Sequence, residues 1–89
     1  MSVTFNRLPR VRDRTGWSRS EIYRRVGLGL LPPPIPLGPR CSVWVESEID
    51  EVLRAIVAGA NQDQLRSLVS ELVSRRASAR TEPNTSRAA

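Results

Sequence analysis

Residues 15–25 read TGWSRSEIYRR: a glycine turn, an aromatic residue, then a short run that carries three arginines, two serines and a tyrosine. Laid out at about 100° per residue, Ile22 and Val26 share one helical face, Ser20 and Arg24 lie opposite, and Tyr23 stands at the side. Ser18 and Glu21 have the S-x-x-E spacing of a capping box. In that motif the serine oxygen accepts the N–H of Glu21 and the carboxylate reaches back to the serine N–H. Glu21 and Arg25 form an i,i+4 pair in the favourable order, which assigns both largely to structure. Arg19, Ser20, Tyr23 and Arg24 are left without internal employment and are the candidate readers of a partner. The helix is expected to stop at Gly27, with Gly29 close behind.

Upstream, LPRVRDRTG (residues 8–16) predicts a first helix. Pro9 suits the first helical position, where its missing N–H costs nothing, and Gly16 supplies the stop. Val11 points inward with Leu8 nearby, so Arg10, Arg12 and Arg14 face solvent or a partner. Such a helix has two turns at most and needs a neighbour to hold it. Trp17, between turn and cap, reads as a core plug that sets the angle between the helices, with base stacking as the alternative use. Two short helices joined by a glycine turn, the second presenting polar side chains, form a helix-turn-helix pattern.

Downstream, LLPPPIPLGPRCSVWV (residues 30–45) predicts extended segments at 35–37 and 42–45 around a Gly-Pro-Arg turn. Val43 and Val45 alternate with Ser42 and Trp44, the period of a strand. Pro34 and Pro36 cannot donate ladder bonds, so the first arm must lie at an edge. A hairpin with Arg40 at its tip, directly after two helices, has the layout of a wing and can set that arginine against phosphates or in a minor groove. The weaker reading of Pro33–Pro36 is a polyproline ligand. A third helix is expected from Ser47, with Asp50 as capping partner and Glu48, Asp50 and Glu51 in its first turn, where the helix dipole favours acids. Ile49, Val52, Leu53 and Ile56 form its core stripe, and Gly59 ends it. Asn61 and Gln64 cap a fourth helix, in which Leu65, Leu68, Val69, Leu72 and Val73 recur at helical spacing. That stripe must be buried either against its own domain or against a second copy, two-fold or head to tail along DNA. The small, polar and basic residues 77–89 read as a disordered tail.

Length and composition narrow the function. Eighty-nine residues suit one compact domain. The longest apolar run, from Leu28 to Leu37, is cut by four prolines and is too short to span a bilayer. The N-terminus has no signal-peptide pattern, so a soluble cytoplasmic protein is expected. There is no histidine and Cys41 is alone, which excludes a Cys/His metal site and an internal disulfide and leaves a thiol nucleophile without its usual base. Neither an enzyme, a cofactor, a metal nor a small-molecule substrate is expected. All fourteen basic residues are arginine; eight of them against Asp13 and Glu21 give residues 1–45 a surplus of six, whereas residues 46–89 hold six arginines against seven acids. Positive charge gathered in one half of a small domain is the footprint of a nucleic-acid binder.

Residues from about Arg7 to Ala58 resemble the AlpA family of small phage-type regulators, relatives of the excisionases and of MerR-like winged helices. The matching pieces are RLPRVRDRTGWSRSEIYRR, the Gly29-x-x-Pro32-x-Pro34-Ile35-x-Leu37-Gly38 stretch, Arg40, and VWVESEID. The family's SRS-x-x-Y core falls on Ser18, Arg19, Ser20 and Tyr23. Two departures stand out: Val52 occupies a position where the family often has tryptophan, and the chain continues past the third helix.

The resemblance implies a mainly α fold with a small β-hairpin, a winged helix-turn-helix over residues 1–59, to which this chain adds the amphipathic helix of residues 60–76. The expected partner is double-stranded DNA. Arg24 would contact a guanine edge and Ser20 and Tyr23 a base or phosphate, while Arg10, Arg12, Arg14, Ser18, Arg19 and Arg25 hold the backbone and Arg40 acts from the wing. The function is either an excisionase that binds attachment-site DNA and directs a site-specific integrase toward excision, or a transcriptional regulator of the integrated element. A small module binds weakly alone, so several copies on adjacent sites are expected. A third class is a protein-interaction module using the proline run or the fourth helix.

Overall fold

A computed structural model describes residues 3–88, with side chains through Ala77. In chain order the elements are β1 (Phe5–Asn6), α1 (Leu8–Thr15), α2 (Arg19–Gly27), β2 (Ile35–Gly38), β3 (Cys41–Val45), α3 (Glu46–Val57) and α4 (Gln62–Ala88). This is the winged helix-turn-helix architecture with a fourth helix added. α4 runs through Ala88 and so extends over most of the stretch 77–89 expected as a tail.

The turn between α1 and α2 is built from local rules. Pro9 sits in the first turn of α1, and Gly16 leaves it with φ 76°, the left-handed conformation that glycine adopts at least cost. The Thr15 hydroxyl donates to the Val11 carbonyl at 2.8 Å and accepts the Trp17 N–H at 3.1 Å, which fixes the path between the helices. Ser18 caps α2 by accepting the Glu21 N–H at 3.2 Å. The return arm of the capping box is not made. Instead the Glu21 carboxylate accepts from Arg24 and Arg25.

The sheet differs from the expected two-stranded wing. Its order is β1-β3-β2, all antiparallel, with Phe5 opposite Val45, Asn6 opposite Trp44, and Ile35 opposite Val43. β1 therefore makes β3 the central strand. With neighbours on both edges and cover on both faces, β3 buries Val43 and Trp44 alike, at 3% and 1% exposure, rather than alternating in and out. The proline-bearing β2 takes the edge, as its missing donors require. The Trp44 indole Nε1 is buried with no acceptor among the described residues, a cost of about 1–3 kcal/mol carried by the surrounding packing.

Helix α3 begins directly where β3 ends. Val45 is its N-cap without a side-chain bond, and the Glu46 N–H closes on the Thr4 carbonyl at 2.8 Å. The expected Ser47–Asp50 cap is not used, because the strand delivers the chain into the helix two residues earlier and Asp50 pairs with Arg14. Ile49 and Val52 are fully buried and Leu53 packs at the core margin, whereas Ile56 reaches the surface.

The reciprocal cap of α4 forms as the spacing predicts: Gln64 N–H to Asn61 Oδ1 and Asn61 N–H to Gln64 Oε1, both 2.8 Å. Leu65, Val69 and Leu72 enter one core with Val11, Ile22, Leu30, Leu31, Trp44, Ile49 and Val52. Of the five candidate self-association residues, these three are thus spent within the chain. Leu68 packs at the core margin and Val73 is exposed. Polar contacts reinforce the docking: Arg66 donates to the Leu28 carbonyl at 3.1 Å, and Arg76 binds the Pro33 carbonyl and the buried Glu48 carboxylate, each at 2.9 Å. Pro32 is buried and Pro34 half-buried in the approach to the wing, whereas Pro33 and Pro36 are exposed. Among the described residues, no helix is long and apolar enough to cross a membrane.

Candidate nucleic-acid interface

Burying Ile22 turns the opposite side of α2 outward, and Arg19, Ser20, Tyr23 and Arg24 are all exposed there. Tyr23 is held by its ring, which meets the Trp44 indole edge to face at 6.0 Å between centroids and 61° between planes. The Arg19 guanidinium lies 5.7 Å from the Tyr23 centroid, within cation–π range. The core residue Trp44 therefore seats Tyr23, and Tyr23 seats Arg19.

Across from this pair stand the wing turn and the entry to α1. Arg40 lies in the exposed turn between β2 and β3, without an ion pair or hydrogen bond among the described residues. Arg7, just before α1, donates from Nη2 to the Cys41 sulfur at 3.0 Å. Arg7, Arg19 and Arg40 line one cleft with Tyr23, Cys41, Ser42 and Trp44, and among the described residues no acidic side chain lines it. Three cations from three separate segments thus face one opening. Thiols are weak acceptors, so the Arg7–Cys41 contact yields readily to a stronger anion. In the sequence Arg7 carries no signal beyond its charge. Its place depends on β3 returning beside the start of α1, for which no local signal exists.

The other basic candidates divide. Arg10 and Arg12 are exposed on α1, and Arg12 lines a second concavity with Pro9, Asp13, Gly16, Trp17 and Ser18. Arg14 does not face a partner. It folds inward, half-buried, donating to Asn6 Oδ1 at 3.1 Å and pairing with Asp50, with Glu46 4.0 Å away. β1 and α3 converge on α1 at this point and supply the acceptors, which the helical wheel of α1 alone does not include. Arg25 is also structural: its Nε meets Glu21 at 2.8 Å and its guanidinium lies 4.0 Å from the Trp17 centroid. Trp17 is half-buried, and Arg25 covers one face of its ring. Ser18 spends its oxygen on the cap.

Arg24 departs from the expected free side chain. It remains 59% exposed, but its Nε and Nη2 meet the two oxygens of Glu21 at 3.0 and 2.9 Å. The Arg24 guanidinium, supplemented by Arg25, holds the Glu21 carboxyl below its ordinary range.

The family described as prophage CP4-57 regulatory protein (AlpA) matches residues 4–55. An uncharacterised protein, ORF88 of Enterobacteria phage P4, is 36% identical over 55 residues, which are 62% of this chain and 62% of that protein. The chain therefore covers less than two thirds of that relative's length. No solved structure matches the chain.

Proposed function

This chain belongs to the AlpA family of prophage regulatory proteins, and on that premise we propose that it binds specific double-stranded DNA of a prophage-like element and directs a site-specific integrase toward excision. The observation that carries the reading is the acid-free cleft in which Arg7, Arg19 and Arg40 meet beside the exposed face of α2. α2 enters the major groove, where Ser20, Tyr23 and Arg24 meet base edges or phosphates. Arg7, Arg19 and Arg40 hold the sugar-phosphate backbone that borders this groove, while Arg10 and Arg12 add contacts from α1. The role is architectural: several copies on adjacent attachment-site sequences bend DNA into a shape the integrase can use.

A second reading, control of transcription on the element, is favoured by the family's description as a regulatory protein. Both use the same surface and differ in where it is placed. Footprinting of the full chain on the element's attachment sites and promoters separates them. Protection of attachment-site repeats supports excision, protection of promoters alone supports transcription control, and protection of neither removes both.

A further inference from the structure

Helix α2 carries one acidic side chain, Glu21, on a surface otherwise offered to a polyanion. A carboxylate there repels phosphate and weakens non-specific binding, so its geometry calls for a separate account. Glu21 holds Arg24 by one edge only. Nε donates to Oε1 at 3.0 Å and Nη2 to Oε2 at 2.9 Å, so the lateral edge of the guanidinium is engaged. A guanidinium has five N–H donors, and this pairing uses two. Three N–H groups remain: one hydrogen of Nη1 and the outer hydrogen of Nη2 form the terminal edge of the fork, and the second hydrogen of Nη1 points back toward Cδ. That edge presents two parallel donors and can pair bidentately with guanine O6 and N7 in the major groove.

The neighbouring contacts fix the frame. Glu21 also accepts Arg25 Nε at 2.8 Å, and Arg25 lies over Trp17, which packs against the core. The carboxylate is thereby tied to the body of the domain while Arg24 stays exposed. A free arginine would lose rotamer freedom on meeting a base. One already held by its lateral edge has lost much of it beforehand, which is how preorganisation raises affinity and selectivity.

We propose that Glu21 is a positioning residue for base readout: it presents Arg24 end-on to a guanine, so that the pair, rather than Arg24 alone, sets sequence preference at one position. The proposal rests on α2 entering the major groove, as in the function proposed above.

The test is selection of binding sites from a random duplex pool by the full-length chain, comparing wild type with Arg24→Ala, Glu21→Gln and the double variant. Far-ultraviolet circular dichroism melts accompany each protein. Wild type is expected to select a motif with a strongly preferred guanine. Arg24→Ala and Glu21→Gln should each lower discrimination at that guanine by roughly tenfold, from the energy of one bidentate base contact. Binding of Glu21→Gln to non-cognate duplex should stay equal or rise, since a negative charge is removed. The double variant should lose no more discrimination than Arg24→Ala, because residues acting through one another are not additive. Arg25→Ala should lower the guanine preference by less than Glu21→Gln does, because it loosens the frame but leaves the Glu21–Arg24 pair in place.

If Glu21→Gln melts like wild type and keeps the guanine preference, the proposal is overturned while DNA binding stands. An Arg25→Ala variant that loses the preference to the same degree also overturns it, because Glu21 would then act by bracing the helix. A wild-type chain that retains no duplex at all removes the DNA-binding reading together with this one.

Discussion

The Arg76 guanidinium grips the Glu48 carboxylate at 2.9 Å and the Pro33 carbonyl at the same distance, joining α4 to α3 and to the approach of the wing through one side chain. Glu48 is only 6% exposed, so it depends on this partner. Arg76→Ala should destabilise the domain by about 3 kcal/mol, because an unpaired charge is left in a dry setting. Arg75, whose pairs with Glu51 and Glu71 lie at the surface, should be replaceable by alanine with little change. Urea unfolding of both variants checks this; equal midpoint shifts would show that the burial of Glu48 does not matter.

Leu72 lies in the common core at 2% exposure, whereas Val73 is 37% exposed. Leu72→Ala is expected to cost about 2–5 kcal/mol through lost packing and a cavity. Val73→Ala should be nearly neutral. Light scattering coupled to gel filtration should give the same mass for wild type and both variants; dissociation of an oligomer by Leu72→Ala with unchanged melting would place this face between copies instead.

Arg7→Ala and Arg40→Ala should each weaken duplex binding across sequences and reduce the salt slope of log K by about 1, since each removes one phosphate contact. Arg14→Ala should behave oppositely. Its partners are Asn6 and Asp50, so it should unfold at lower urea while the salt slope of the remaining folded protein is unchanged. Fluorescence anisotropy at several salt concentrations distinguishes the two patterns.

Acidification tests the Glu21 pairing. Its carboxyl is held below the ordinary value of 4.5, chiefly by the Arg24 hydrogen bond. A group whose folded pKa is depressed stabilises the fold above its unfolded pKa and loses that contribution as pH falls through the folded one. The Glu21 side-chain resonance should therefore titrate below the ordinary carboxylate range, and the Arg24 Nε–H chemical shift should move over the same interval. In Arg24→Ala the Glu21 midpoint should move up.

Much of the fold was legible because it follows from local chemistry. Pro9 and Gly16 bound α1, Ser18 caps α2, the prolines confine β2 to an edge, and Asn61 with Gln64 starts α4; each is decided within a few residues. What escaped the sequence depends on partners distant along the chain. β1 is two residues long and exists only because Val45 and Trp44 return beside it. Trp44, which simple alternation sets apart from Val43 and Val45, is buried because Val11, Ile22 and Ile49, from three separate helices, close over it. The Ser47 cap had the right letters, but the strand reaches the helix first.

The candidate interface was legible to a similar depth. The helical wheel identified the outward residues of α2 and the hairpin placed Arg40. It did not foresee that Glu21 would turn from its own helix end to Arg24, since both options have acceptable local spacing. Arg14 was misjudged for the same reason as β1: its acceptors Asn6 and Asp50 come from opposite ends of the folding unit.

The pairing of Phe5 with Val45 also has a consequence for how the molecule comes into being. The contact closes a loop of about forty residues, and its entropic cost falls before the central strand gains its second neighbour. α1 and α2 are each too short to persist alone, so little native structure is expected until that closure occurs. On the ribosome, the interface can then assemble only after Val45 has emerged. A nascent fragment that already carries every residue of α2 would have no shape with which to engage a target.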